Sequence, residues 1–398
     1  MSAIRRFEEQ VARVTRTFLD ARQSRVVVLH HNDCDGLSSA AILFKTFERA
    51  QVPYSGYALE KPYPAVLDRL FKELDATSLF LFADFASGML PEISRLNVNG
   101  SPVFVLDHHS ITPSNDTNIH LLNCTSSGLE GGECSSSVIC FIFSMALHDY
   151  NTDLSSAALL GALGDKMFDR RGLLYGVNGA VFEKYKGLGA FGYDSNYWIE
   201  TGGRKEAQLV TRFVDALGSF GYLKGGPDIA IKGIQQGFSE PFVFAARQYL
   251  DQFEKDYQAF SKDVTFTESG NIAAFETEDR FIGYGVKTVG LICERLISEG
   301  LAPGGKYLVG FQPISPMIPG LGPIKLDDLK VSVRVDAKLL SSIKRGERPS
   351  VAEILPKAAA QAGGFSDACH PHAGACTVSV SKKDELLDNI RRYSIIAL

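Results

Sequence analysis

No C-x-x-C pair occurs among the seven cysteines, and their odd number, spread from Cys34 to Cys376, argues against a disulfide framework. The same spacing indicates no structural zinc site, so free thiols in a reducing cytoplasm are expected. No apolar run approaches the roughly 20 residues that a membrane-spanning helix needs. The first residues, MSAIRRFEEQVARVTRTFLDARQ, lack the apolar core and small-residue cleavage site of a secretory signal. A soluble, cytoplasmic protein with no membrane partner is the expectation. Basic excess is missing too: 41 Lys and Arg stand against 46 Asp and Glu, a net charge of −5. A polyanionic partner must therefore be drawn to a local patch rather than by the overall field. There is no repeat of fixed period and no low-complexity tract.

What is present is a globular composition, 45% hydrophobic and 22% charged, in 398 residues, long enough for two or three domains. Residues 5–23 have helical spacing, and SRVVVLHHND then reads as a buried strand whose C-terminal end turns polar. LSSAAILFKTFERA follows as a helix after a turn at Gly36. TSLFLFAD (77–84) and SPVFVLDHH (101–109) repeat the pattern, with helices near 64–75 and 89–95 and further helices at 134–148 and 153–165. Near-continuous apolar strands alternating with helices predict an α/β fold, a parallel sheet covered by helices on both faces, with ligands beyond the strands' carboxyl ends. Residues from about 205 to 260 are mostly helical, and after Val264 alternating segments such as KYLVGFQPI, LKVSVRVD and ACTVSVSK predict a smaller, mixed α/β domain. The domains expected are 1–205, a helical linker at 206–261, and 262–398.

The sharpest local signal is His31-Asn32-Asp33-Cys34-Asp35-Gly36 at the end of the first strand. In an extended backbone alternate side chains point the same way, so His31, Asp33 and Asp35 converge. Carboxylates so close repel unless a cation lies between them, and oxygen and imidazole donors suit a divalent ion. The plain alternative is a polar turn in which an Asp caps the next helix. Asp84, or Asp107-His108-His109, taken singly, is compatible with an ordinary strand-end turn. Together with Asp165 of GALGDKMFD, these residues bring acids and imidazoles to one sheet edge, which suits two metal ions about 3.5–4 Å apart.

In sequence order HNDCDG, the Asp of FADFASG, DHH and the Asp of GALGD resemble the four motifs of the DHH phosphoesterase superfamily. The resemblance implies one ion held by His31, Asp33 and Asp84, and a second by Asp35, Asp84, His108 and Asp165. It also implies that Asp107 orients His108, that His109 faces the phosphate, and that the two ions are Mn2+, with Mg2+ as substitute. Hydrolysis would use water activated by both ions. His30 adjoins His31, and strand phase favours His31.

Toward the C-terminus, residues 363–375 form a small-residue loop with two histidines, where backbone can approach a phosphate closely or simply turn between a helix and a strand. It resembles the glycine-rich motif of the DHH-associated domain, with Gly363 and Gly364 as the glycine pair and either His370 or His372 as the histidine, His370 preferred. Residues FSDAC separate the pair from His370, a departure from the family pattern. Ser332-Val333-Arg334 resembles that domain's S-x-R element, implying that Arg334 meets a substrate phosphate; an Arg on an exposed strand face is the bland alternative. GYLKGGPDIAIKG and the helical linker resemble archaeal RecJ-type proteins, which implies an exonuclease on single-stranded DNA or RNA. The alternative is a nanoRNase-like or dinucleotide phosphodiesterase acting on short oligonucleotides. A third reading is a catalytically silent binding protein among replication or repair proteins, against which the retained acids speak.

Overall fold

The computed structural model describes residues 2–21, 25–74, 77–201, 203–367 and 369–395. Positions 22 and 23 of the first expected helix, position 75 and Ala368 of the glycine-rich loop lie outside the described residues. The chain divides into two compact units, Met1–Tyr249 with Ile318–Gly322, and Leu250–Met317 with Pro323–Leu398.

In the first unit, helix α1 (Ala3–Asp20) starts where the Ser2 hydroxyl accepts the Arg5 N–H, and buries Phe7, Val11 and Val14 along one face. Strand β1 (Arg25–His31) leads through a tight turn into helix α2 (Cys34–Arg49). β2 (Tyr54–Leu59), α3 (Pro64–Glu73), β3 (Ser78–Ala83), α4 (Leu90–Leu96), β4 (Val103–Asp107) and β5 (Ile119–Asn123) complete a sheet of order β2-β1-β3-β4-β5. All four pairings are parallel. The central strands β3 and β4 are buried throughout, as their unbroken apolar runs predict. The edge strands β2 and β5 are half-exposed, and no comparable run announces them. Strand order reverses between β1 and β3, so a crevice opens at their carboxyl ends, the switch point where such sheets bind ligands.

Helices α5 (Ser136–Leu147) and α6 (Ser155–Gly164) lie against α2, whose Ser38, Ser39, Ala40 and Ala41 are small enough for close approach. Helix α7 (Gly176–Tyr185) is followed by a three-stranded antiparallel sheet, β6 (Phe191–Tyr193), β7 (Tyr197–Glu200) and β8 (Arg204–Glu206). Strands of three or four residues are too short to show periodicity. Helices α8 (Ala207–Ser219) and α9 (Gly226–Gln236) precede the long α10 (Glu240–Asp263). All seven cysteines are free, and among the described residues no helix is long and apolar enough to cross a membrane.

The second unit is built on β9 (Thr267–Ser269), β10 (Ile272–Glu276), β11 (Tyr307–Pro313), β14 (Asp328–Val335), β15 (Phe365–Ser366) and β16 (Ala373–Ser379); the short β12 (Met317–Ile318) and β13 (Gly322–Pro323) pair at the two ends of the Ile318–Gly322 segment, which is counted with the first unit. Its helices are α11 (Thr288–Ser298), α12 (Ala337–Lys344), α13 (Val351–Gln361) and α14 (Lys383–Tyr393). The six-stranded sheet is mixed, since β10 and β11 run parallel and the other pairings antiparallel. Alternation along β14 sorts its side chains. Val331 and Val333 join a core with Val351, Ile354 and Leu355 of α13. Lys330, Ser332 and Arg334 point the other way.

Lys330 is buried at 5% exposure and pairs with Asp367. Removing one partner of a buried ion pair leaves the other poorly solvated. Lys330→Ala is therefore expected to destabilise this unit by about 3 kcal/mol, the low end because Asp367 keeps some solvent. Denaturant melts of the two proteins check it.

Candidate metal centre

The turn after β1 sets the geometry. His31 ends the strand, and Asp33 is the extended N-cap of α2, its Oδ1 accepting the Gly36 N–H at 3.1 Å. Its other oxygen, Oδ2, lies 2.9 Å from His31 Nδ1. Asp35 is not part of the strand: it sits in the first turn of α2 and is fully buried. Convergence of His31, Asp33 and Asp35 thus comes from a strand end, a cap and a helical turn, not from one extended segment, and Asp33 fills the capping role and faces the cluster at once. His30 points to the other side of β1, buried against Phe44 with ring centroids 5.8 Å apart, and burial pulls its pKa down to about 4. His31 is the histidine in the cluster.

Asp84 follows β3 with φ +67°, a left-handed conformation that few non-glycine residues adopt, although Asp tolerates it. Such backbone strain persists where surrounding structure holds it, and functional sites are where it collects. Its Oδ2 lies 3.3 Å from His31 Nδ1 and its Oδ1 3.6 Å from His108 Nε2. His108 Nε2 is in turn 3.3 Å from Oδ2 of Asp165, which caps the C-terminus of α6. The His108 ring is fixed by its Nδ1–H, which donates to the Gly131 carbonyl at 3.1 Å and so directs Nε2 at the carboxylates.

Two donor groups emerge, His31 with Asp33 and Asp84, and Asp35 with Asp84, His108 and Asp165; within each the ligand-type atoms lie within 4.8 Å of one another. Asp84 belongs to both. A third grouping of Asp84 with Asp107, His108 and His109 is geometrically close, but both Asp107 oxygens are already engaged. Its Oδ2 accepts the Ser87 N–H, and its Oδ1 accepts the His108 N–H, the His109 N–H and His109 Nδ1–H at 2.7–3.2 Å. Contrary to the expectation that Asp107 orients the His108 ring, its side chain meets the His109 ring, and the His108 ring is held by the Gly131 carbonyl. His109 is half-exposed and leaves Nε2 unused by this pairing.

Electrostatics follow the same division. Burial, then the charges of Asp35, Asp33, Asp165 and Asp107, push the Asp84 carboxyl well above its usual range. Burial and the Asp165 charge raise Asp35 to about 6, although Ser136 and Ser137 donate backbone N–H groups to it. Burial opposes a charged His108, but the Asp165 hydrogen bond and the charges of Asp165, Asp35 and Asp107 outweigh it and raise the imidazole to about 10. Asp107 goes the other way: burial pushes it up, yet the hydrogen bond and charge of His109, with help from His108 and Ser87, hold it well below the carboxylate range. The cluster is a concentration of negative charge seeking a cation. Asp84 Oδ1 is buried with no hydrogen-bond partner, which ordinary protein interiors avoid. Hard oxygen donors with imidazole and no thiolate fit divalent ions of the Mg2+ or Mn2+ type.

Several supporting groups have no sequence signature. Asp215 of α8 accepts the Cys34 N–H at 2.9 Å, and Asn32 donates to the Gly218 carbonyl, so α8 clamps the loop. Gly161 of α6 has its own constraint: a Cβ there would lie 2.4 Å from Asp35 Oδ1 and 2.2 Å from Ser137 Oγ. Gly161→Ala is expected to displace Asp35, lowering metal affinity about 10–100-fold, as loss of an orienting contact does, with a drop in stability from overpacking. Calorimetric titration with Mn2+ and a thermal melt check both.

The substrate-side residues expected in the second unit are placed as follows. Arg334 pairs with Glu294 at 2.9 Å and donates to Ser332 Oγ and the Gly374 carbonyl. Gly363, at φ +72°, ends α13, with its N–H and that of Gly364 returning to the carbonyls of Ala360 and Ala359, a helix stop of the Schellman kind. The His370 N–H closes a tight turn onto Ala373, and the His370 and His372 rings stack with centroids 6.1 Å apart.

Fold and site together define a class: an α/β domain presenting two overlapping donor groups, joined by one carboxylate, at the carboxyl edge of a parallel sheet. Residues 25–164 match the model of the DHH family, N-terminal domain, and the fold is similar to that of RecJ structures. Over 147 residues it is 33% identical to an uncharacterized protein of Methanocaldococcus jannaschii, covering 36% of this chain and 33% of that one. Over 93 residues it is 34% identical to the single-stranded-DNA-specific exonuclease RecJ of Thermus thermophilus, covering 22% of this chain and 14% of that one. The chain thus spans a third or less of these curated relatives. RecJ from Thermus thermophilus in complex with Mn2+ superposes with a TM-score of 0.63 at 14% identity, over 97% of this chain and 54% of that one. An exonuclease RecJ bound to manganese gives 0.60 at 14% identity, over 96% and 94%. CDC45 from Entamoeba histolytica gives 0.54 at 12% identity, over 98% and 99%.

Proposed function

We propose that this protein is a metal-dependent phosphodiester hydrolase, and within that class a RecJ-like exonuclease on single-stranded DNA or RNA. The observation that carries the reading is Asp84, shared by two donor groups and holding a buried oxygen that no hydrogen bond occupies. His31, Asp33 and Asp84 hold one divalent ion, and Asp35, Asp84, His108 and Asp165 the other, with Mn2+ the metal of choice. Such ions lower the pKa of water and neutralise charge that develops on phosphoryl oxygens. Asp107 fixes the His109 ring through Nδ1, so that Nε2 is the atom offered to a substrate phosphate. In the second unit Arg334 and the loop with Gly363, Gly364, His370 and His372 hold the substrate backbone. The acid now opposite Arg334, Glu294, is exposed and makes a surface pair that a phosphate can displace.

The test incubates the protein with Mn2+ and end-labelled single-stranded DNA, single-stranded RNA and dinucleotides, beside a variant carrying both Asp107→Ala and His108→Ala. Stepwise shortening of long strands that the variant does not perform supports the exonuclease. Cleavage of dinucleotides alone moves the protein to the short-oligonucleotide class. Absence of any hydrolysis points instead to a binding protein of a replication or repair assembly, as the similarity to the CDC45 structure suggests.

A further inference from the structure

Beyond the metal centre, the first unit contains a cavity of about 540 Å3 lined by Leu174, Tyr175, Phe182, Lys186, Tyr193 and Tyr197, among others. Its volume lies in the range of sites that hold a small molecule or one unit of a polymer. Two of its rings are structural. Tyr197 is 4% exposed, its hydroxyl accepts the Leu174 N–H at 2.8 Å, and its ring meets Phe182 edge-on. Tyr193 is different: its ring leans on Tyr197 at 4.8 Å between centroids, yet 40% of the residue remains exposed. An exposed aromatic backed by a rigid one is a stacking platform.

The cavity is tied to the metal centre through two short connections. The chain leaves Asp165 and reaches the cavity wall four residues later at Asp169. Tyr175 stands against Gly132, where a Cβ would lie 2.4 Å from its hydroxyl, and the neighbouring Gly131 carbonyl is the one that holds His108. The segment 166–186 is basic in a chain that is acidic overall, with Lys166, Arg170, Arg171, Lys184 and Lys186 against Asp169 and Glu183. Asp169 accepts the backbone N–H groups of Arg171 and Leu173 through Oδ1 and pairs with the Arg171 guanidinium through Oδ2 at 2.9 Å. Lys186 lies 5.8 Å from the Phe182 ring centroid and pairs with Glu183 at 2.6 Å. Within the lining Arg171 and Lys186 are thus paired with Asp169 and Glu183, so the net positive charge of the segment comes from Lys166, Arg170 and Lys184. Planar aromatic faces beside such a segment suit a flat, uncharged ring carried on an anionic backbone.

Building on the phosphodiesterase reading of the metal centre, we propose that this cavity is a nucleobase subsite in which one base of a single-stranded substrate stacks on Tyr193, while its flanking phosphates face the basic 166–186 segment. Stacking of this kind is tolerant of base identity, since every base offers a π-face. The subsite therefore reads the presence of a base and not its sequence. Tyr193 is a binding residue and takes no part in bond breaking.

The deciding experiment measures equilibrium binding, in chelator, of a fluorescein-labelled 12-residue thymidine oligonucleotide and of its fully abasic counterpart, using the wild type, Tyr193→Ala and Tyr193→Phe. The expected result is a roughly 5- to 150-fold weakening, the range for one lost base stack, seen only for Tyr193→Ala and only with the base-bearing strand. Equal affinity of wild type and Tyr193→Ala for the base-bearing strand would overturn the proposal. So would an equal loss for both strands, which would mean a backbone contact. Hydrolysis of bis(p-nitrophenyl) phosphate with Mn2+, a diester without a base, is read in parallel. Its absence in the wild type would overturn the phosphodiesterase reading without altering the binding result.

Discussion

Asp84→Asn is expected to leave the protein folded and to reduce Mn2+-dependent phosphodiester hydrolysis by at least about a thousandfold, more than the 10–100-fold that loss of an orienting group costs. The substitution is chosen for the backbone as much as for the charge. Residue 84 stands at φ +67°, and asparagine tolerates the left-handed region that alanine and larger residues resist. Its size is preserved at a site that is 1% exposed. What changes is one carboxylate oxygen, and with it the only side chain common to both donor groups. Asp107→Asn supplies the contrast. Asp107 accepts N–H groups from Ser87, His108 and His109, so its loss should fall within the 10–100-fold range. Turnover of a small diester, with calorimetric titration by Mn2+, checks both variants. Equal losses at positions 84 and 107 would mean that Asp84 does not join the two groups.

The parts of this fold that could be read from the sequence are those whose signal lies in side chains. The runs LFLFA and VFVLD predict buried parallel strands because both faces of β3 and β4 are covered, and the acids that end them collect at one edge because all the strands run the same way. Reading HNDCDG as one extended segment placed the right side chains together for the wrong local reason. The helix begins at Cys34, and Gly36 permits that turn because a Cβ there would lie 2.4 Å from the His31 carbonyl oxygen. The edge strands β2 and β5, half in solvent, needed no apolar run and show none. Groups that hold the site through backbone atoms, the Gly131 carbonyl and the Ser136 and Ser137 N–H groups, were not legible, since any residue type carries them. In the second unit the glycines expected to approach a phosphate have a local task first, ending α13.

Metal affinity is expected to rise with pH, with a slope that changes near pH 6. A divalent ion binds the deprotonated donors, so every donor that carries a proton must release it. Below pH 6 the list includes Asp35, which titrates at about 6, as well as His108, raised to about 10; Asp84, held well above its usual range, adds to the proton release. Between 6 and 10 His108 is protonated in the metal-free protein and Asp35 is not. Each pH unit in that window should therefore strengthen binding by at least about tenfold, and the dependence should be steeper below 6. Stability follows in the opposite sense for the metal-free protein. Asp35 binds its proton more tightly folded than unfolded, so it favours the folded state below about pH 4, and that contribution is lost as pH rises through 6. His108 is likewise raised on folding, and its contribution is fully present below pH 6.5 and lost as pH rises through 10. Mn2+ compensates for the carboxylates, and the increase in melting temperature on adding it should be greater at about pH 8 than at about pH 5. Thermal melts with Mn2+ and with chelator at the two pH values measure it. An equal increase at both would show that no proton is displaced, and that the cation binds away from Asp35, Asp84 and His108.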